Sequence, residues 1–115
     1  MRFLVAQIPN QICSSPSWSS TFTTVAGTGI IGTSANTLYN PFSIYIDGLD
    51  TIYIADYNNN RVQKFVSGSN VGIQVAGFGT TAGSTGVYLN KPTAVSVNSN
   101  NVIYILDSLN YRVQQ

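Results

Sequence analysis

The stretch IYIADYNNNRVQKF (residues 52–65) decides the fold, because it returns 51 residues later as IYILDSLNYRVQQ (residues 103–115). The similarity extends outward, so that residues 41–64 align with residues 92–115 without a gap. Further upstream, TTVAGTGIIGTSANTLYNP aligns with IQVAGFGTTAGSTGVYLNKP after a single insertion. Chance does not produce this pairing in 115 residues, and the chain is therefore a tandem repeat.

Each repeat has the pattern of short strands separated by turn residues. In the first repeat the predicted strands are residues 43–47, 51–56, 61–66 and 71–77. Turns of two to five residues join them, and such turns connect antiparallel neighbours. Four strands of this kind in a repeat of about 50 residues make one blade of a β-propeller. The predicted fold class is all-β, a partial propeller with one full four-stranded antiparallel blade and incomplete flanking blades.

The alignment also predicts how the chain is organised. Residues 1–20 are a poorly defined lead-in, and propeller blades occupy residues 21–115. Repeat 1 covers about 41–77, and a truncated repeat 2 covers about 92–115. Residues 21–26 match the last strand of repeat 1, so we expect them to form a lone outer strand.

Gly27, Gly29 and Gly32 match the GxGxxG fingerprint of dinucleotide-binding proteins, and Asp47 lies where a ribose ligand is expected. That site needs a helix whose N-terminus faces the phosphates, followed by a long crossover to a parallel strand. The residues after Gly32, TSANTLYNPF, are poor in helix formers. The second repeat has a similar glycine pattern without the acidic residue. We therefore interpret these glycines as turn residues.

The composition argues against several classes of function. Five Lys and Arg residues against four Asp residues give a net charge of +1, which provides no cationic surface for nucleic acid. No basic amphipathic segment suits a membrane surface. The chain has no histidine, the commonest general base and zinc ligand. The sequence therefore predicts no catalytic residue, no metal and no cofactor.

The lead-in leaves alternatives open. Cys13 is the single cysteine, and it is a buried small residue, a free thiol or half of a bridge to a partner outside the chain. The apolar run at residues 3–6 is too short for a secretory signal or a membrane span. The chain is then either cytosolic or part of a longer protein, and the tandem repeat favours the longer protein.

Charged residues recur at equivalent positions of the two repeats, around a turn that holds an asparagine. The six residues are Asp56, Asn59, Arg61, Asp107, Asn110 and Arg112. A residue that does chemistry is needed once in a site, whereas a residue that closes a turn is needed in every blade. We therefore predict structural ion pairs, in which the carboxylate accepts backbone N–H groups of an Asx-type turn and the arginine neutralises it.

Other polar side chains give weaker signals. Tyr53 and Tyr104 are expected to pack between blades, with a ligand contact as the alternative. Asp47 and Asp50 flank a turn, but two carboxylates without further oxygen ligands are a weak indication of calcium. Lys64 and Lys91 are expected to be solvated.

The segments NPFSIYID and IYIADYNNNRVQKF, followed by VAGFG, resemble the NHL repeat of six-bladed β-propellers. The lead-in, with Cys13 and Trp18, is similar to that of large extracellular NHL proteins, and this resemblance alone favours an extracellular location. The spacing of 51 residues exceeds the usual repeat, which implies an extended loop between Gly77 and Pro92.

The resemblance implies a non-enzymatic scaffold module for protein–protein interaction. The RNA-binding and histidine-metal forms of the family do not carry over, because the basic surface and the histidines are missing. One alternative is an enzyme or lectin-like protein whose site lies in blades outside this chain, and another is a structural spacer in a secreted repeat protein. Expected partner contacts on the inner strands are Ser43, Tyr45, Thr93 and Ser96.

Two blades cannot close a ring, and their apolar faces need cover. We expect the remaining blades to belong to a longer polypeptide, of which this chain is a fragment. The alternative is a homotrimer, in which three two-blade chains supply six blades and residues 21–26 complete the last blade of a neighbour.

Overall fold

The computed structural model describes residues 20–115, and the expectations for Cys13 and Trp18 lie outside the described residues. Seven strands form two antiparallel sheets, and the helical content of the described part is limited to two short 3₁₀ turns. Blade 1 is the sheet β1 (Pro41–Ile46), β2 (Ile52–Asp56), β3 (Arg61–Phe65) and β4 (Ile73–Ala76), hydrogen-bonded in that order. Blade 2 is the sheet β5 (Pro92–Val97), β6 (Ile103–Asp107) and β7 (Arg112–Gln114). The all-β prediction of one full and one incomplete blade is confirmed.

The two blades share one hydrogen-bonding register. Tyr45 pairs with Tyr53 in blade 1, as Ser96 pairs with Tyr104 in blade 2. Both inner strands begin with a bulge directly after their proline. The repeat seen in the sequence is therefore a repeat of backbone geometry, and residues 51 apart can be compared position by position.

The expected lone strand at residues 21–26 is wrong, since β1 is the first strand of the described part of the chain. A segment forms a β-strand only when it is hydrogen-bonded to a neighbouring strand. No equivalent of β3 precedes this segment within the described residues. Between β4 and β5, in contrast, a loop of residues 77–91 carries the chain from the outer edge of blade 1 to the inner strand of blade 2.

The hydrophobic core lies between the two blades. Tyr53 and Val62 of blade 1 pack with Val95, Val97 and Ile105 of blade 2. The inner strand β5 crosses β1 and β2, so the second blade stacks face to face on the first. Burial raises the pKa of the Tyr53 hydroxyl. Tyr53 thus packs between blades, as predicted, whereas the equivalent Tyr104 of blade 2 is exposed and lies outside this core.

The outward face of blade 1, which we call the leading face, carries Phe42, Ile44 and Ile46 on β1. Ile44 is 60% exposed, whereas Val95, at the equivalent position of blade 2, is 7% exposed. Val95 is covered because it packs in the core with Tyr53 and Val62 of the neighbouring blade. Among residues 20–115, the leading face therefore presents side chains at positions that are buried where the two blades meet.

The outward face of blade 2, which we call the trailing face, carries Tyr104, Leu106 and Val113. Val113 is 66% exposed, whereas the equivalent Val62 of blade 1 is fully buried in the core. Both ends of the two-blade stack thus present apolar side chains at positions that are buried where two blades meet.

At one end of the blades the strands are joined by tight turns. Asp47 Oδ1 accepts the N–H groups of Leu49 and Thr51, both at 2.9 Å. Asn98 Oδ1 accepts the equivalent pair of N–H groups in blade 2. These hydrogen bonds, above all those with Thr51, lower the pKa of Asp47 below its ordinary value of 3.8. The carboxylate of Asp47 is therefore used to fix its own turn.

Candidate functional site: the loop end of the blades

The opposite end of the blades carries the longer connections. It consists of residues 28–40, 57–60, 77–91 and 108–111, which we call the loop end. All six recurring polar residues lie at this end, and the structure brings them together as two sets of three, one in each blade.

In blade 1 the set is centred on the buried carboxylate of Asp56, at the end of β2. Its Oδ1 atom accepts the backbone N–H of Tyr39 at 2.8 Å. Its Oδ2 atom accepts the Arg61 Nε–H at 2.8 Å and the Asn59 amide at 2.9 Å. Both carboxylate oxygens are thus used inside the chain, which offsets the cost of burying the charge.

The guanidinium of Arg61 reaches beyond this carboxylate to the loop that enters β1. Nη1 donates to the carbonyl of Thr33, and Nη2 donates to the carbonyls of Ser34 and Thr37, all at 3.0 Å. The planar fork of arginine suits several carbonyls at fixed angles. Arg61 therefore anchors the backbone carbonyls of this loop, and the side chains of Ser34 and Thr37 add hydrogen bonds within it.

Blade 2 repeats this arrangement. Asp107 accepts the backbone N–H of Asn90 at 2.6 Å, the Asn110 amide at 2.8 Å and the Arg112 Nε–H at 2.9 Å. The guanidinium of Arg112 donates to the carbonyls of Ser84, Thr85 and Tyr88. Each blade thus fixes the loop that leads into its own inner strand.

The detail of an Asx-type turn is wrong. The N–H that Asp56 accepts belongs to Tyr39, which lies 17 residues upstream and not in the turn that follows. That turn, Tyr57–Asn59, is a 3₁₀ turn closed by the N–H of Asn60, whose φ is 53°. The carboxylate therefore joins two distant segments, and local spacing carries no signal of such a contact.

Lys91 was expected to be solvated, and this is wrong as well. Its Nζ atom donates to Asn58 Oδ1 at 2.9 Å and lies 5.2 Å from the centre of the Tyr57 ring. Its backbone N–H donates to Asn60 Oδ1 at 3.0 Å, and the Asn60 amide donates to the carbonyl of Thr80. This cluster connects blade 1 to the loop and inner strand of blade 2.

One side-chain contact of blade 1 is made by two different residue types in blade 2. In blade 1 the rings of Phe42 and Tyr57 lie against each other, with centroids 5.3 Å apart. The equivalent residues of blade 2 are Thr93 and Ser108, whose hydroxyls form a hydrogen bond. An aromatic contact in one blade is thus replaced by a polar contact in the next.

The inner-strand residues predicted to contact a partner do not line one pocket. Tyr45 is half-buried against Tyr53 in the core between the blades, and the hydroxyl of Ser43 is buried. Thr93 bonds to Ser108, and Ser96 is exposed on the trailing face. The four residues therefore lie in separate environments.

The loop end also exposes large apolar side chains among its polar residues. Its exposed large side chains are Ile30, Ile31, Tyr39, Phe78, Val87, Leu109 and Tyr111. Phe78 also contacts the ring of Tyr88, with centroids 5.2 Å apart. Sequence reasoning missed this surface, because the side chains are scattered among Gly, Ser and Thr residues and show no periodicity.

Two kinds of feature are absent from residues 20–115. No group of three or more Cys, Asp, Glu or His side chains is placed to hold a metal ion. No helix in the same range has the length and apolar character needed to cross a membrane.

The geometry agrees with the comparison to known families. The family model described as NHL repeat matches residues 38–65 and 89–115. The chain therefore carries two tandem NHL repeats, and its two sheets are blades of a β-propeller. No curated protein was found to match the chain.

Proposed function

We propose that the chain is a non-enzymatic propeller module that binds protein partners through the loop end. The observation that carries this proposal is the combination of a fixed backbone with exposed apolar side chains. Arg61 and Arg112 hold the loops by their carbonyls, and the same loops present Ile31 and Val87 to solvent. Binding residues are commonly carried on loops that a rigid scaffold positions.

The chemistry of this surface favours a protein partner. Lys91, Arg61 and Arg112 donate to groups of the chain itself and are not available as a phosphate site. The large exposed side chains include Tyr39, Phe78 and Tyr111, and aromatic side chains are enriched in protein–protein interfaces. Preformed loops also reduce the entropy lost on binding.

The carboxylates support a structural role over a chemical one. Both oxygens of Asp56 and both oxygens of Asp107 accept hydrogen bonds from the chain. A general base or nucleophile needs an oxygen that reaches the substrate.

The test uses the purified chain and three matched variants as bait in an affinity experiment with quantitative mass spectrometry. Val87→Asp and Tyr111→Asp alter exposed side chains of the loop end, and Leu49→Asp alters an exposed side chain of the opposite end. We expect a partner whose recovery falls at least about tenfold with the first two variants and is unchanged with the third. Recovery that is equal for all three variants would contradict the proposal.

We also propose that the module works within a larger propeller. The exposed leading and trailing faces support this, since the equivalent positions are buried where two blades meet. The further blades belong either to a longer polypeptide, which the tandem repeat favours, or to other copies of the chain.

A further inference from the structure

A groove opens between the two blades at the end opposite to the loop end. It is lined by residues 45 and 47–49 of blade 1 and by residues 97–99 and 101 of blade 2, and we call it the turn groove. Its volume of about 330 Å³ lies at the lower end of the range for small-ligand sites. The turn groove is formed where the first two strands of each blade are joined, at the contact between the two blades.

The buried lining of the turn groove is apolar, and its exposed lining is mostly polar. Tyr45 of β1 is half-buried and Val97 of β5 is buried. On the wall of blade 1, Asp47 is partly exposed. The wall of blade 2 carries the neutral side chains of Ser99 and Asn101, both exposed. Asp47 is therefore the one charged residue in the lining of the turn groove.

The charge of Asp47 is not needed to close its turn. Asp47 Oδ1 accepts the N–H groups of Leu49 and Thr51, and Asn98 Oδ1 accepts the equivalent two N–H groups in blade 2, all at 2.9 Å. A neutral amide thus closes the same turn with the same geometry. The carboxylate therefore adds to the turn groove a negative charge that the turn itself does not require.

Asp47 has no ion-pair partner among residues 20–115, since the salt bridges of this range are those of Asp56 and Asp107. The hydrogen bond from the Thr51 N–H is the main cause of the lowered pKa of Asp47, and the charge of Lys64 adds to it through space. Lys64 does not line the turn groove. At neutral pH the groove thus contains an ionised carboxylate beside an aromatic residue and without a cation in contact.

We propose that the turn groove binds the guanidinium group of an arginine side chain that a partner protein presents. A guanidinium is cationic and planar, so that it donates to the Asp47 carboxylate while it contacts the ring of Tyr45. Its remaining N–H groups donate to the side-chain oxygens of Ser99 and Asn101 on the opposite wall. A metal ion fits less well, because residues 20–115 contain no group of three or more side chains placed to hold one.

The lining of the turn groove favours arginine over lysine. One carboxylate and several neutral oxygens suit a cation that spreads five donors over a plane. An ammonium group is a more strongly hydrated point charge, and it gains less from neutral oxygens and from an aromatic ring. Because solvent screens the partly exposed Asp47, a single side chain binds weakly and contributes to a larger contact. This inference does not depend on the proposed partner surface at the loop end.

The first test is an NMR titration of the isotope-labelled full chain. The probes are the N-acetyl methylamides of arginine, of lysine and of citrulline, which has the shape of arginine without its charge. We expect saturable shifts of the amide signals of Gly48, Leu49 and Ser99, with arginine bound at least about threefold more tightly than either of the other probes. Equal binding of citrulline would overturn the role of charge, and equal binding of lysine would overturn the assignment to a guanidinium.

Two variants separate the turn groove from the net charge of the chain. Asp47→Asn and Asp50→Asn each remove one negative charge, and each introduces the residue that blade 2 has at the equivalent position. Asp50 has φ 60° and does not line the turn groove, and its equivalent Asn101 has φ 62°. We expect Asp47→Asn to weaken arginine binding at least about threefold and Asp50→Asn to leave it unchanged. Equal effects of the two variants would overturn the proposal.

A further variant tests whether the two turns form one site. Adding Asn98→Asp to the Asp47→Asn chain moves the carboxylate to the opposite wall of the turn groove and restores the net charge. We expect arginine to bind more tightly to this chain than to the Asp47→Asn chain. Binding as weak as that of the single variant would overturn the assignment of the site to the groove between the turns.

Discussion

Arg61 and Arg112 form the same ion pair in two different environments. Their Nε atoms lie 2.8 and 2.9 Å from the carboxylates of Asp56 and Asp107, but the side chain of Arg61 is 5% exposed and that of Arg112 is 31% exposed. β3 has β4 beside it, whereas β7 pairs with β6 alone within residues 20–115, and this accounts for the greater exposure of the second pair. The two blades therefore contain an internal comparison of one interaction at two levels of burial.

Arg61→Leu is expected to lower the free energy of unfolding by about 3–5 kcal/mol, because it leaves the buried carboxylate of Asp56 without its cation. Arg112→Leu should cost less, about 1 kcal/mol, since solvent screens the partly exposed pair. Urea unfolding followed by circular dichroism, at one protein concentration, measures both. Equal losses would show that the difference in burial is without consequence.

Asp47→Asn is expected to change the pH dependence of stability while keeping the turn. The folded-state pKa of Asp47 is lowered from 3.8, so its contribution is present above that pH and is lost as the pH falls below it. Asn98 makes the equivalent hydrogen bonds in blade 2, which makes asparagine a matched substitution. Unfolding midpoints between about pH 5 and pH 2.5 should fall less steeply for the variant. If the unfolding midpoint falls with pH equally for the variant and the unaltered chain, the contribution of the Asp47 carboxylate is contradicted.

Gly77→Ala is expected to destabilise the fold by about 2–3 kcal/mol. Gly77 has φ 95°, and an added Cβ would lie 2.5 Å from the carbonyl oxygen of Asn60. A side chain there is therefore both strained and in collision with backbone. Gly86→Ala is the control, since an added Cβ at Gly86 meets nothing within 4 Å. Thermal unfolding of the two variants should differ clearly, and a similar effect of both would be inconsistent with the crossover geometry.

Asn60→Gly tests the connection between the blades. Glycine accepts the positive φ of this position, so the substitution removes the side-chain bonds to Lys91 and Thr80 without straining the backbone. We expect a loss of about 1–2 kcal/mol in the free energy of unfolding. Hydrogen exchange should show faster opening of β5 than in the unaltered chain. Unchanged protection of β5 would mean that the apolar core alone holds the blades together.

The sequence predicted the repeated part of the fold well. The alternation around Tyr53 and its recurrence at Tyr104 predicted antiparallel strands, and the turn residues predicted where most of them end. The failure at residues 21–26 has a physical cause, because their likeness to β4 describes a strand whose neighbour is not in the described chain.

The loop end was harder to predict, because its contacts join residues far apart in sequence. The pairing of Asp56 with Arg61 follows from their spacing across a hairpin. The hydrogen bonds of Arg61 to three carbonyls 24 to 28 residues upstream cannot be predicted in this way, because every residue has a carbonyl and the sequence does not mark which ones are used. Lys91 was misjudged for the same reason, as its partner Asn58 is 33 residues away.

The contact of Phe42 with Tyr57, and of Thr93 with Ser108, has a consequence for protein engineering. Transplanting one member of either pair into the other blade would set a ring against a hydroxyl, whereas transplanting both would keep a matched contact. The unit that can be exchanged between these repeats is the pair and not the single residue. A consensus sequence chosen position by position could therefore place one residue of the aromatic pair against one residue of the hydroxyl pair.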